Sequence, residues 1–197
     1  VTLRSITGWV TLNDYFRCDL AGGRILSPGV FGTAFDRQSD AKATQWTEEL
    51  QLLGQAADGR LDWIVGGFYF KETADQAIFD NLPIFFLLNL APTLLDTDTR
   101  SWALYGQATW KFTDAWSATF GLRTTEDQKE FVGSIQTGFG NPVPRTEVTN
   151  DRTFSATTPK LALDWRLRDE VFAYASYARG FKAGGYNGLA VFNANAF

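Results

Sequence analysis

Trp102-Ala103-Leu104-Tyr105-Gly106-Gln107-Ala108-Thr109-Trp110-Lys111-Phe112 decides the fold. Its even positions are Trp, Leu, Gly, Ala, Trp and Phe, and its odd positions include Gln107, Thr109 and Lys111. A period of two puts an apolar face and a polar face on opposite sides of an extended strand. Trp116, Ala118, Phe120 and Leu122 alternate in the same way with Ser117, Thr119, Gly121 and Arg123. So do Leu161, Leu163, Trp165 and Leu167 with Lys160, Ala162, Asp164 and Arg166.

Four further segments read as strands: about Leu3–Leu12, Thr44–Gly54, Leu61–Ala74 and Val171–Lys182. In the second, Trp46, Leu50 and Leu52 share a face, and Glu48 falls among them against the pattern. Residues 61–74 and 171–182 are apolar on both faces, so the sequence leaves their orientation open. Long polar stretches at about 13–43, 75–99 and 133–153 alternate with tight turns at Ala57-Asp58-Gly59, Thr113-Asp114-Ala115 and Arg168-Asp169-Glu170. Alternating short and long connections predict an all-β, antiparallel, up-and-down transmembrane β-barrel, with brief periplasmic turns and longer extracellular loops.

Tryptophan placement agrees. Trp63, Trp110, Trp116 and Trp165 lie near short turns, and Trp46 and Trp102 lie toward the long loops. Two belts of amphipathic rings suit two membrane–water boundaries. From Trp102 to Phe112 is roughly 33 Å of strand. At a tilt of ~40° that spans about 25 Å, the height of an outer-membrane apolar band. Glu48 then falls near the outer boundary, where a charge costs only about 0–1 kcal/mol. Seven strands leave two bare edges, which lipid does not tolerate, so the expectation is a partial barrel over residues 1–197 whose remaining strands lie elsewhere.

Composition narrows the function. The chain has 18 basic and 22 acidic residues, a net charge of −4, and no basic cluster to hold a nucleic acid. No run of ~20 apolar residues could cross a membrane as a helix. Val1-Thr2-Leu3-Arg4-Ser5 does not read as an export signal, a further reason to expect a fragment. His is absent, which removes His general bases, Ser-His and Cys-His dyads and HExxH metal sites together. The single Cys18 has no disulfide or zinc partner. No catalytic, cofactor-binding or metal-binding residue is assigned, and no cofactor is expected.

Tyr174-Ala-Ser-Tyr-Ala-Arg-Gly-Phe-Lys-Ala-Gly-Gly-Tyr-Asn187 has the form YxSYxxGFKxGGxN. That stretch is similar to one common in TonB-dependent outer-membrane receptors, whose barrel the chain resembles from about Arg4 to Asn187. Glu49-Leu50-Gln51-Leu52 with Asp58-Gly-Arg-Leu-Asp-Trp63, and Tyr105-Gly106-Gln107-Ala-Thr-Trp-Lys-Phe-Thr-Asp114 with Gly121-Leu122-Arg123, add to it. Thr158-Pro159-Lys160-Leu161 looks like the family's strand start after a long loop. The resemblance implies a 22-stranded barrel closed by a plug domain. It implies energy-coupled uptake of an iron–siderophore complex, cobalamin or glycan, with TonB, outer-membrane lipid and a small nutrient as partners. The plug and the TonB-contacting segment are expected outside this chain, and no binding residue carries over. A passive porin fits the alternation equally well; an outer-membrane barrel enzyme and a soluble β-protein with binding function are further alternatives.

Three local features invite functional readings. Asp96-Thr-Asp98-Thr-Arg100 could be half of a calcium loop but lacks its Gly and distant Glu, and a solvated loop end is the preferred reading. The apolar stretch Leu82–Ala91 could touch a hydrophobic ligand or pack on other loops, the second being favoured. Arg123, Lys160, Asp164, Arg166 and Lys111 are expected to face the lumen, where they steer an anion, hold a plug or simply hydrate the wall. Gly180 to Gly188 lacks a phosphate-loop pattern and reads as a strand bending out into a loop.

Overall fold

A computed structural model describes residues 1–19, 36–81, 92–136, 145–168 and 170–187. They form one antiparallel sheet: β1 (Thr2–Asp19), β2 (Asp36–Ala56), β3 (Leu61–Asn81), β4 (Thr93–Lys111), β5 (Trp116–Gln136), β6 (Arg145–Arg168) and β7 (Val171–Ala178). Each strand pairs only with its neighbours in sequence, as an up-and-down meander requires.

The short turns fall where expected. After β2, Asp58 and Gly59 occupy the two central positions of a turn closed by Arg60 N donating to Ala57 O at 3.0 Å. Both have positive φ, 52° and 81°, the conformation that the Asp-Gly pair tolerates best. After β4, the Thr113 hydroxyl accepts from the amides of Ala115 and Trp116 at 3.2 and 3.0 Å. The turn at 168–170 contains Asp169, which lies outside the described residues.

The strands are longer than the hydropathy pattern indicated. β1 runs to Asp19 and β2 begins at Asp36; β3 runs to Asn81 and β4 begins at Thr93; β5 runs to Gln136 and β6 begins at Arg145. Much of the stretches 13–43, 75–99 and 133–153, expected as loops, is therefore paired backbone. β5 alone has 21 residues, roughly 70 Å of strand. Thr158-Pro159-Lys160-Leu161 accordingly lies inside β6 and is not its start. The Pro159 carbonyl accepts from Arg179 N at 3.1 Å, on the β7 side. A strand residue's N–H and C=O point the same way, so the missing N–H faces the side where β7 ends, at the pair Lys160–Ala178. β7 stops at Ala178 rather than Lys182.

Register fixes the faces, because opposed residues share one. Trp9 opposes Trp46, Tyr69 opposes Trp102, Trp63 opposes Ala108, Trp110 opposes Ala118, and Trp116 opposes Trp165. Following these rows across the sheet puts all seven tryptophans on one face. Leu50, Leu52, Val65, Leu104, Phe120, Leu122, Leu161 and Leu163 share that face and are exposed there. The orientations left open by sequence are now set: Leu61, Trp63, Val65 and Tyr69 lie on the tryptophan face, as do Ala173, Ala175 and Tyr177.

The belts also report strand tilt. From Trp63 on β3 to Trp165 on β6 the lower belt descends four residues of register over three strand spacings. At ~3.3 Å per residue and ~4.8 Å per strand that is a tilt of roughly 40°. The upper belt descends two residues from Trp46 on β2 to Trp102 on β4, about 35° by the same geometry. Both agree with the ~35–45° of outer-membrane barrels.

The buried residues Ser39, Ile78, Leu95, Ala103, Thr119, Thr125, Phe131 and Ile135 all lie on the face opposite the tryptophans. A single sheet with no second layer buries side chains only where it curls over them. That face is concave.

Candidate functional site: the concave wall

All five ionisable residues expected on the polar face, Lys111, Arg123, Lys160, Asp164 and Arg166, lie on the concave face by register. Their surroundings differ. Lys111 Nζ is 2.6 Å from Asp62 Oδ2. Asp164 accepts from Ser117 at 3.4 Å. Lys160 Nζ donates to the side-chain Oε1 of Gln107 at 3.1 Å, and Arg123 donates to the Thr125 hydroxyl at 3.1 Å. The Arg123 guanidinium also sits 5.6 Å from the centre of the Phe68 ring and 5.8 Å from that of Tyr105, within cation–π range.

Tyr105 anchors this part of the wall. Its hydroxyl donates to the Glu49 carboxylate, which also accepts from Gln51 at 3.0 Å. The ring reaches Glu49 by lying over Gly66: a Cβ there would meet the Tyr105 hydroxyl at 2.5 Å and the Leu50 carbonyl at 2.8 Å. Gly66 and Tyr105 are opposed partners, so glycine on one strand makes room for an aromatic ring on the next. Sequence reasoning missed Glu49, Tyr105 and Gly66 as a unit, since nothing local marks a contact between positions 49 and 105.

Further along the strands the concave face is apolar. Ile78, Leu95, Phe131 and Ile135 form a buried cluster, with Val148 and Tyr186 packed against it. Tyr186 belongs to the glycine-rich segment after β7. It stacks on Phe131 with centroids 5.3 Å apart, and its hydroxyl donates to Lys129 O at 3.4 Å. Gly184 lies so close to the Phe154 ring that a Cβ would sit 2.8 Å from it. The segment thus leaves the strand as expected, and it folds back across the concave face. Beside the cluster, Arg37 and Asp80 form a two-bond ion pair at 2.6 and 2.8 Å.

On the convex face, Glu48 accepts from Ser5 at 2.6 Å and from Thr7 at 2.5 Å. The charge that broke the apolar pattern is thereby held by two hydroxyls from β1. Asp96, Asp98 and Arg100 lie in β4, not in a loop, and Arg100 Nε is 3.0 Å from Asp98. Alternate strand residues project in parallel, about 7 Å apart, so the calcium half-loop has no geometric basis. No group of three metal-capable side chains exists among the described residues. Leu82–Ala91 lies outside the described residues. Cys18 is a free thiol on β1.

A convex apolar band rimmed by tryptophan above and below, backed by a concave polar wall, is the wall of a transmembrane β-barrel. The chain belongs to the TonB dependent receptor-like β-barrel family, whose profile matches residues 2–197. It is 27% identical over 149 residues to the pesticin receptors of Yersinia enterocolitica (serotype O:8 / biotype 1B) and Yersinia pestis, covering 73% of this chain and 21% of each relative. Its fold matches the crystal structure of the ferric yersiniabactin uptake receptor of Yersinia pestis with a TM-score of 0.73 and 17% identity, covering 94% of this chain and 26% of that one. The chain therefore spans about a fifth to a quarter of the length of these proteins. Barrels of this family reside in the bacterial outer membrane, so the concave face is lumenal and the convex face meets lipid. The family is one of receptors and transporters, not a class of enzymes.

Proposed function

We propose that this chain is part of the wall of an energy-coupled outer-membrane receptor that takes up a scarce nutrient, and that it performs no catalysis. The family match over residues 2–197 carries this reading. A ferric siderophore is the favoured cargo within the class that also includes cobalamin and glycans, because the relatives include a ferric yersiniabactin uptake receptor. In this reading a plug domain and the remaining strands of a 22-stranded barrel lie outside residues 1–197. TonB engages that plug and draws on the inner-membrane proton gradient, so the segment described here supplies lipid contact and a lumenal surface.

The test is uptake of radiolabelled ferric siderophore by cells that carry the full-length receptor as their only siderophore receptor. Uptake is expected to stop when TonB is deleted or the proton gradient is collapsed. Uptake that persists under both treatments would identify a passive channel.

A further inference from the structure

We propose that an outward-facing groove across β1 to β4, above the upper tryptophan belt, binds the uncharged sugars of the outer-leaflet glycolipid. The groove encloses about 690 Å³. Register sets Tyr15, Asp40, Ala77 and Leu94 in one row of it, and Lys42, Asp75 and Asp96 in the row below. Both rows lie on the tryptophan face. Lys42 and Asp40 are four and six residues beyond Trp46, and Asp96 and Leu94 are six and eight beyond Trp102. At ~3.3 Å per residue and a tilt of ~40°, the groove stands roughly 10–20 Å above the belt. A bacterial outer membrane carries glycolipid in its outer leaflet, so a groove opening sideways at this height meets its saccharide layer. It continues the lipid-facing surface upward: acyl chains lie against the band and sugars against the groove.

The lining suits a sugar, which has apolar C–H faces and a rim of hydroxyls. Tyr15 is 60% exposed and Leu94 39%, so both offer apolar surface to a C–H face. Ala77, opposite Leu94, leaves the space between them open. Tyr15 and Lys42 make no side-chain hydrogen bond or ion pair with any described residue, which leaves a hydroxyl and an ammonium for sugar oxygens. Asp40, Asp75 and Asp96 supply acceptors for sugar hydroxyls. Asp75 and Asp96 are directly opposed. Like charges so placed destabilise a sheet, and a hydroxyl donating between them offsets the repulsion. Three carboxylates against one ammonium repel phosphate, so the ligand is the sugar portion of the glycolipid and not its phosphorylated portion. The proposal depends on the outer-membrane placement of the wall and not on energised uptake.

The test is native mass spectrometry of the purified full-length receptor titrated with lipopolysaccharide that carries a complete core saccharide. Lipid A, which keeps the acyl chains and phosphates but lacks the core sugars, is the control. Because the titration needs neither TonB nor a proton gradient, it fails or succeeds independently of the uptake experiment. Lipopolysaccharide is expected to bind more tightly than lipid A, and to stay bound when EDTA removes divalent cations. Tyr15→Ala is expected to weaken it about fivefold. Ala77→Phe, which fills the groove from its open side, is expected to weaken it as well, and Tyr15→Phe to retain most of the affinity. Neither Tyr15→Ala nor Ala77→Phe is expected to alter lipid A binding. Equal affinity for lipopolysaccharide and lipid A, or Tyr15→Ala and Ala77→Phe variants that bind lipopolysaccharide as the wild type does, would overturn the proposal. So would binding lost in EDTA, because a cation would then be bridging the carboxylates to phosphate. Variants that lose nutrient uptake while keeping lipopolysaccharide would also overturn it, by assigning the groove to another partner.

Discussion

The same strands obey opposite rules in their two halves. Near the short turns the large apolar side chains point outward: Val65 on β3, Leu104 on β4, Phe120 and Leu122 on β5, Leu161 and Leu163 on β6. Beyond the upper tryptophan belt the buried apolar side chains point inward, Ile78 on β3, Leu95 on β4, Phe131 and Ile135 on β5, with Val148 on β6 packed against them, and only Phe79, Leu94 and Val132 of the large described apolar residues of β3 to β5 there face outward. The ladders of β3, β4 and β5 run through this boundary without a register shift, so the inversion is written in the side chains alone. The reason is the surrounding medium. Within the bilayer the least polar surroundings lie outside the barrel, and the wall puts apolar residues there. Above it water lies outside, and the only place to hide apolar surface is the concave side. A hydrophobic cluster in the upper half is thus an ordinary core, and the lower half has its core turned out toward lipid.

Substitutions in the two halves should respond differently to the medium. Phe131→Ala removes the centre of the inward cluster; Phe131 is 6% exposed, and a loss of about 3–5 kcal/mol is expected. That loss should be alike in detergent micelles and lipid bilayers when unfolding of the full-length receptor is followed by urea titration. Phe120→Arg puts a charge in the middle of the outward band; Phe120 is 55% exposed. A cost of ~2–4 kcal/mol is expected in bilayers, shrinking in micelles whose surface adapts to the charge. Equal costs in both media would erase the distinction between the halves. Gly66→Ala sharpens it from the lumenal side, because the added methyl drives Tyr105 off Glu49; about 1–3 kcal/mol should be lost in either medium. Glu48→Gln is expected to change stability least of the four, since Glu48 sits at the boundary with two hydroxyl donors.

The inversion also explains what was legible in the sequence. The outward half of β4 reads as a strand from Trp102 to Trp110 because its alternation is unbroken and its partners repeat it. On β5, Phe120 and Leu122 occupy even positions, whereas Phe131 and Ile135 occupy odd ones. Between them lies Thr124-Thr125-Glu126-Asp127-Gln128-Lys129-Glu130, polar at every position. A search for one continuous phase ends at Leu122 and reads the rest as connection. Backbone pairing needs no apolar side chains, so the strand continues through that polar stretch and resumes its pattern with the phase reversed. The lumenal placement of Arg123 and Lys160 was legible from parity. The difference between them and Lys111 was not, because Asp62, Thr125 and Gln107 become neighbours only through pairing. Tyr105 with Glu49 depends likewise on contacts across three strands.

The most direct measurement is a spin-label scan along β5, from 116 to 135, in the full-length receptor reconstituted in liposomes with Cys18 replaced by Ser. Accessibility to oxygen, which concentrates in lipid, is compared at each position with accessibility to a water-soluble nickel chelate. Oxygen accessibility is expected to peak at 116, 118, 120 and 122. From 126 onward the nickel chelate is expected to reach the even positions, with 131 and 135 shielded from both. Oxygen peaks that continue at even positions into the 130s, or that fall on 117, 119 and 121, would contradict an apolar face that changes sides at the membrane boundary.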